Sequence, residues 1–223
     1  MPLFPLGHTV LFPGVLLPLH IFEERYRELV RTLVARKDGS PRRFGVVAIR
    51  QGWEVGEDAV RALHAVGCAA DLRRVSRYPD GRFDIVGVGS ERFRLLDVAD
   101  AERPYLVGTV EWLPADPPAD AEAGLLASGV GLLFGEYVAA AAAIRGRDPE
   151  ELELPDDPST LSYLVASAAV LTLDDRQTLL EATGASARLR AELRLLKRET
   201  TMLRRLRALP MSLGELQVAQ SLS

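Results

Sequence analysis

The chain has 223 residues, 48% of them hydrophobic, with a formal net charge of −4 and a sequence pI near 5.5. That length allows one or two domains around a real core, and the near-balanced charge lacks the cationic excess of a nucleic-acid-binding protein. The single cysteine, Cys68, excludes an internal disulfide framework and fits a reducing, cytoplasmic setting.

Apolar residues and prolines alternate irregularly as far as Phe22, which reads as two short strands. From Glu23 the pattern changes: Tyr26, Leu29, Val30, Leu33 and Val34 recur at the spacing of one buried helix face. Glu23 and Glu24 suit the first turn, and Glu23 is spaced to pair with Arg27. Asp38-Gly39 marks the helix exit. From Phe44 to Leu113, runs of Val, Ile, Phe and Leu are punctuated by Gly52, Gly56, Asp80-Gly81 and Gly87, the texture of a small, mostly antiparallel sheet. Arg77 to Phe83 reads as a hairpin closed by Asp-Gly. Phe22, Tyr26, Leu29, Val47, Ile49, Phe93 and Leu95 are the expected core. Phe93, between Arg92 and Arg94, should face away from both guanidinium groups. Gly87-Val88-Gly89 is not a dinucleotide loop, because Arg92 stands where a third glycine belongs and no helix follows; it predicts a bend or bulge.

Pro114 to Ala121 is a proline-rich linker, and beyond it the period is helical. Helices are predicted over about residues 122 to 146, from a Ser159 cap, from an Asp174–Gln177 capping box to Gly184, and over about 186 to 208. An acidic loop, Asp148 to Pro158, separates the first two, and residues 209 to 223 are expected to fray. Residues 125 to 144 are long enough to span a membrane, but Glu136 falls near the middle, and Leu126, Val130, Leu133, Tyr137, Ala140 and Ile144 form a packing seam. A packed helix in a soluble protein is therefore expected. The last helix carries its own seam, Leu189, Leu193, Leu196, Thr200, Leu203 and Leu206. Residues 114 to 181 hold 3 basic against 13 acidic side chains and residues 182 to 223 hold 8 against 3, which reads as helix-dipole and intramolecular pairing. The amino terminus has no basic region ahead of its apolar run and carries four prolines by Pro18, unlike a signal peptide.

Three elements of the opening stand together: Phe4 to Leu6, Leu11 to Gly14 (LFPG), and Pro18 to Tyr26 (PLHIFEERY). In this order they closely resemble the start of the Lon-protease amino-terminal, substrate-binding domain family. The likeness continues through Phe44 to Ile49, Gly89 to Asp97, Pro104 to Leu113 and the helical run from Leu161, so it covers nearly the whole chain. It implies an α+β fold: a PUA-like, six-stranded pseudobarrel with one helix over residues 1–113, a linker at 114–121, and a four-helix subdomain over 122–208. The family joins this region to an ATPase and a Ser-Lys peptidase, for which 223 residues leave no room, implying a free-standing bacterial member. The only lysines, Lys37 and Lys197, precede Asp38 and Arg198, so no P-loop can form.

The resemblance implies a non-catalytic module without cofactors that binds unfolded or degron-bearing polypeptide. Its role would be that of an adaptor or regulator in protein quality control, acting with Lon or another protease. Its candidate contact surface is Leu11, Phe12, Pro13, Val15 and Leu16, each of which core packing also explains. A competing reading is RNA binding, as in other PUA-like barrels, through Arg73, Arg74, Arg77 and Arg82 around Tyr78 and Phe83. The balanced charge of this half speaks against it. Hydrolysis has no support: Ser90 beside Glu91 has no histidine near it in sequence. His64 and Cys68, four apart, could share a metal only on a helix, and their surroundings read as strand.

Overall fold

The computed structural model describes residues 1–36, 39–51, 62–99, 103–149 and 152–208. The strand-rich half forms β1 (Leu3–Leu6), β2 (Leu16–Ile21), β3 (Arg43–Gln51), β4 (Ala62–Leu63), β5 (Val66–Arg77), β6 (Phe83–Ala99) and β7 (Val107–Trp112). They lie in the order β1-β3-β5-β6-β2, with β4 on β3 and β7 on the far half of β6. β1 runs parallel to β3, and every other pair is antiparallel. Register breaks in β5 near Cys68 and Leu72, and in β6 near Leu95, add local twist. The sheet rolls until its ends meet: Leu3 N–H donates to the Leu106 carbonyl at 2.9 Å and Gly108 N–H to that of Met1 at 2.9 Å. The six expected strands form this pseudobarrel, with the two-residue β4 as a seventh.

Helix α1 (Glu24–Ala35) covers one side with Tyr26, Leu29, Val30 and Leu33. Tyr26 stacks on Phe4 at 4.0 Å, which ties the helix to the first strand. Glu24, rather than Glu23, pairs with Arg27, because Glu23 is taken by Arg25. Arg27 Nε also donates to the Gly81 carbonyl at 2.8 Å, gripping the expected hairpin. Gly81 has a φ of +84°, which favours glycine, and an added Cβ would stand 2.0 Å from that guanidinium and push it off the hairpin.

Inside the barrel Phe93 is fully buried with Leu3, Val47 and Ala69, and Trp112 meets its ring edge-on. Tyr26, Leu29, Val47 and Ile49 are buried as expected. Leu95 is only half-buried, and Phe22 is 57% exposed, which corrects its placement in the core. Strand alternation explains Phe22: it follows Ile21, whose side chain takes the inner face. The turn signals at Gly52 and Gly56, Asp38 and the tail from residue 209 lie outside the described residues.

Four helices follow: α2 (Ala121–Ile144), α3 (Pro158–Ala168), α4 (Leu173–Glu181) and α5 (Ala185–Ala208). Asp157, not Ser159, caps α3, accepting from Thr160 N–H; Pro158 takes the first helical position, where its missing N–H costs nothing. Thr172, not Asp174, caps α4, accepting from Asp175 N–H and bonding the Asp175 carboxylate. Gly184 (φ +83°) leads into α5 rather than closing α4, which ends at Glu181. The buried line of α2 is Ala123, Ala127, Val130, Phe134 and Tyr137, so the expected seam is right at Val130 and Tyr137 but Ile144 is exposed. By length and composition α2 could cross a membrane, and 22% of its most apolar window is buried. In this fold it packs along α5, where Glu136 accepts from Arg204 at 2.8 Å. Tyr163 and Ala166 of α3 and Leu179 and Leu180 of α4 join the core of the barrel, while α2, α3 and α5 enclose a second apolar cluster around Val130, Phe134 and Leu189.

Candidate functional site

The LFPG turn is fixed by backbone contacts with β6. Gly14 N–H donates to the Gly89 carbonyl at 2.8 Å, and Gly89 N–H donates to that of Val15 at 2.9 Å. A Cβ at Gly89 would stand 2.0 Å from the Phe12 carbonyl oxygen. The Gly-Val-Gly stretch is therefore a close-approach site inside a strand. Leu11 and Phe12 point inward, Phe12 toward the Tyr163 ring at 6.2 Å, and cannot touch a ligand directly. Pro13 and Val15 are half-buried, and Leu16 is 66% exposed.

From Leu16 an outward row continues along β2, which is the terminal strand of its sheet path: Leu16, Pro18, His20, then Phe22 just past the strand. Leu17 and Ile21 face in. Pro18 has no N–H to offer, which blunts this edge against uncontrolled strand pairing. The accessible apolar surface thus starts at the turn and runs away from it to Phe22. The two-residue alternation in LLPLHIF was the signal for this row, hidden by the expectation that Phe22 is buried in the core.

His20 sits in an exposed polar cluster. Its Nδ1 lies 2.6 Å from Asp84 Oδ1, and Arg82 lies 3.3 Å from its Nε2. Hydrogen bonds from Tyr78 and His20 hold the Asp84 carboxyl below the usual range. A His–Asp pair invites comparison with a hydrolytic triad, but the nucleophile's place is taken by Arg82, a donor with nothing to activate. Among the described residues no group of three or more His, Cys, Asp or Glu could hold a metal ion. His64 lies in the short turn between β4 and β5 and Cys68 on β5, so neither is on a helix, and Cys68 is a buried thiol that desolvation pushes up to about 12.

The expected basic patch does not assemble. Arg73 and Arg77 line a groove against α1, whereas Arg74 does not, and Arg82 is turned over Tyr78 and bonded to Asp80. Tyr78 in turn donates to Asp84.

Where the barrel meets the helices, a cavity of about 380 Å³ is bordered by Pro13, Glu91, Leu113, Pro117 and Tyr163. Its floor is a buried ion network that sequence reading missed. Arg92 of β6 donates to the Leu180 and Ala182 carbonyls at the end of α4, at 2.9 and 2.7 Å, and to Asp116 at 3.1 Å. Arg188 of α5 also pairs with Asp116, donates to Ser162 Oγ at 2.7 Å and lies 3.7 Å over the Tyr163 ring. Burial alone would raise the Asp116 carboxyl; the Arg188 and Ser159 hydrogen bonds, with the charges of both arginines, outweigh it and hold it below the usual range. The proline-rich segment is thus clamped to three elements at Asp116.

One turn beyond Arg188, Glu192 is 1% exposed and neither carboxyl oxygen has a partner among the described residues. Burial pushes it up to about 8, against the opposing charge of Arg188. Its folded value lies above its unfolded one, so the fold favours the protonated carboxyl. Its contribution is intact below the unfolded pKa and is lost as pH rises toward 8. Glu192→Gln is expected to remove this loss, stabilising the protein at pH 7 by on the order of 3 kcal/mol while leaving it unchanged near pH 4. Urea midpoints of both proteins from pH 4 to 8 measure this; parallel curves would rule it out.

A family model described as ATP-dependent protease La (LON) substrate-binding domain matches residues 1–198. Lon protease 1 of Thermus thermophilus is 30% identical over 89% of this chain, and Lon protease 2 of Syntrophobacter fumaroxidans is 32% identical over 80%. The chain spans 24% and 22% of the length of these two relatives. Among solved structures, a Lon N-terminal domain protein from Xanthomonas campestris is similar with a TM-score of 0.60 and 26% identity, over 88% of this chain and 96% of that one. The N-terminal domain of a Mycobacterium avium complex Lon protease shares the fold with a TM-score of 0.63 and 20% identity, over 90% and 97% of the two chains.

Proposed function

Because the chain belongs to the ATP-dependent protease La (LON) substrate-binding domain family, we propose that it is a non-catalytic polypeptide-binding module. It takes unfolded or degron-bearing segments in a cytoplasmic setting, as an adaptor or regulator of Lon or another protease. The barrel to residue 113 carries the binding surface, residues 114–121 connect it, and residues 122–208 form the helical subdomain behind it. The observation that carries this reading is the outward row of β2, with Leu16 66% and Phe22 57% exposed at the end of a rigid sheet. Large apolar side chains held out on a strand cost solubility unless something binds them. Of the residues expected at the contact, Pro13, Val15 and Leu16 serve it directly, and Leu11 and Phe12 support the turn from below.

Titration of labelled casein at low and moderate salt tests this. Binding should be weak and change little with salt, and Leu16→Glu with Phe22→Glu should weaken it roughly tenfold, the effect of losing central apolar anchors. Neither peptide nor ATP should be hydrolysed. The runner-up, RNA binding, would appear as affinity for single-stranded RNA that falls steeply with salt. Tight RNA binding without casein binding would overturn the proposal.

A further inference from the structure

A second groove, of about 610 Å³, lies between the end of α1 and the later half of β5. Its floor is apolar, made by Val34, Leu72, Val75 and Phe83, and its rim carries Arg31, Arg42, Arg73 and Arg77. Among the described residues, none that lines it is a carboxylate. Arg31 is satisfied by Glu24 and Glu28, and Arg73 only approaches Asp71, at 3.9 Å. Among the described residues, Arg42 and Arg77 have no carboxylate within ion-pair distance. On a chain of net charge −4, four guanidinium groups around one apolar floor are a local reversal of sign.

The backbone beside the groove is also unfinished. β3 pairs with β5 only as far as Asp71, and the last link is Leu72 N–H to the Arg42 carbonyl at 2.8 Å. Past that point Arg73 to Arg77 pair with β6 alone among the described strands, so alternate backbone groups on the other side have no strand partner. An open edge beside apolar pockets is how an extended peptide is held. A nucleic acid fits less well. Base binding needs an exposed aromatic face, yet the ring in the lining, Phe83, is 6% exposed, and Tyr78 does not line the groove.

We propose that this groove docks an extended polypeptide segment in which apolar residues are flanked by carboxylates, the apolar side chains on Val75 and Leu72 and the acidic ones on Arg42 and Arg77. This deepens the polypeptide-binding reading, and rests on it, by giving the module a second surface with a stated ligand chemistry. It selects acidic flanks, which the β2 row does not, since the cation beside that row, Arg82, is already bonded to Asp80.

The test is fluorescence anisotropy of the full chain with the labelled peptide Asp-Glu-Leu-Val-Glu-Asp. Arg42→Glu and Arg77→Glu should each weaken binding roughly fivefold or more, since each places like charge at the rim. Arg74→Glu makes the same change in net charge outside the groove and should have less than about a twofold effect. All three sites are exposed, so the fold should survive the changes. Binding should fall as salt rises, unlike casein binding, and Leu16→Glu should leave it unaltered. Equal binding of Asp-Glu-Ser-Gly-Glu-Asp or Lys-Lys-Leu-Val-Lys-Lys, an equal loss with Arg74→Glu, or displacement by single-stranded RNA more readily than by unlabelled peptide would overturn the groove's assignment. If the acidic peptide fails to bind while casein still binds in a Leu16-dependent way, only this inference falls. If both fail, the polypeptide-binding reading falls with it.

Discussion

Asp116→Ala is expected to destabilise the protein by about 3–5 kcal/mol, the range for breaking a buried ion pair from one side. The carboxylate answers two arginines at once: the Arg188 side chain is fully buried and that of Arg92 is 7% exposed. Removing it leaves two guanidinium charges, one fully buried and the other nearly so, without their carboxylate. Arg92 keeps the α4 carbonyls, and Arg188 keeps Ser162 and the Tyr163 face, so the charges are solvated in part but not neutralised. Asp116→Asn should cost less, because an amide oxygen can still accept one of these bonds. Since the folded carboxyl lies below its ordinary range, its stabilisation is present above the unfolded pKa and is lost as pH falls through the folded value. The gap between wild type and Asp116→Ala should therefore narrow on acidification. Denaturant melts at pH 7 and near pH 3 measure both points. A pH 7 difference below about 1 kcal/mol would show that water reaches these arginines after all.

This network also marks the limit of what the sequence made legible. The hairpin at Asp80-Gly81, α1, the proline-rich break at 114 and four helices were readable, because each depends on local period or on a glycine or proline with a fixed conformational meaning. Arg92, Asp116 and Arg188 are far apart in the chain, and each looks like a solvated surface charge. Arg188 sits among seven other basic residues of α5, and only the docking of α3 shows that its turn of the helix faces inward. The same limit affected the site. LFPG announced a turn, but which of its side chains remain outside depends on Gly89 of β6, more than seventy residues away. The basic patch failed for the converse reason. Arg73, Arg74 and Arg77 are neighbours in sequence, yet strand alternation and the break near Leu72 separate Arg74 from the other two.

Phe93→Ala is expected to cost about 3–5 kcal/mol, the loss for a fully buried aromatic ring whose cavity cannot collapse. Two glycines make collapse difficult. The ring rests on Gly45 and Gly67, where an added Cβ would stand 2.8 and 2.6 Å from its Cζ. Neither neighbour has a side chain that could swing into the space. The two positions nevertheless differ in what they permit. At Gly67 a Cβ would also meet the Val46 carbonyl oxygen at 2.5 Å, an obstacle that remains when the ring is gone. At Gly45 the nearest atoms belong to the Phe93 ring and a Leu3 methyl, so the obstacle is mostly the ring itself. Gly45→Ala alone should therefore destabilise, but in the Phe93→Ala background it should stabilise, filling part of the cavity. Gly67→Ala should destabilise in both. A sign change at one glycine and not the other is a coupling that general loosening of the barrel cannot produce. Denaturant midpoints of the five variants would show it. Additive effects at Gly45, or a loss below about 1 kcal/mol for Phe93→Ala, would mean that the ring is not the close-packed centre of this sheet.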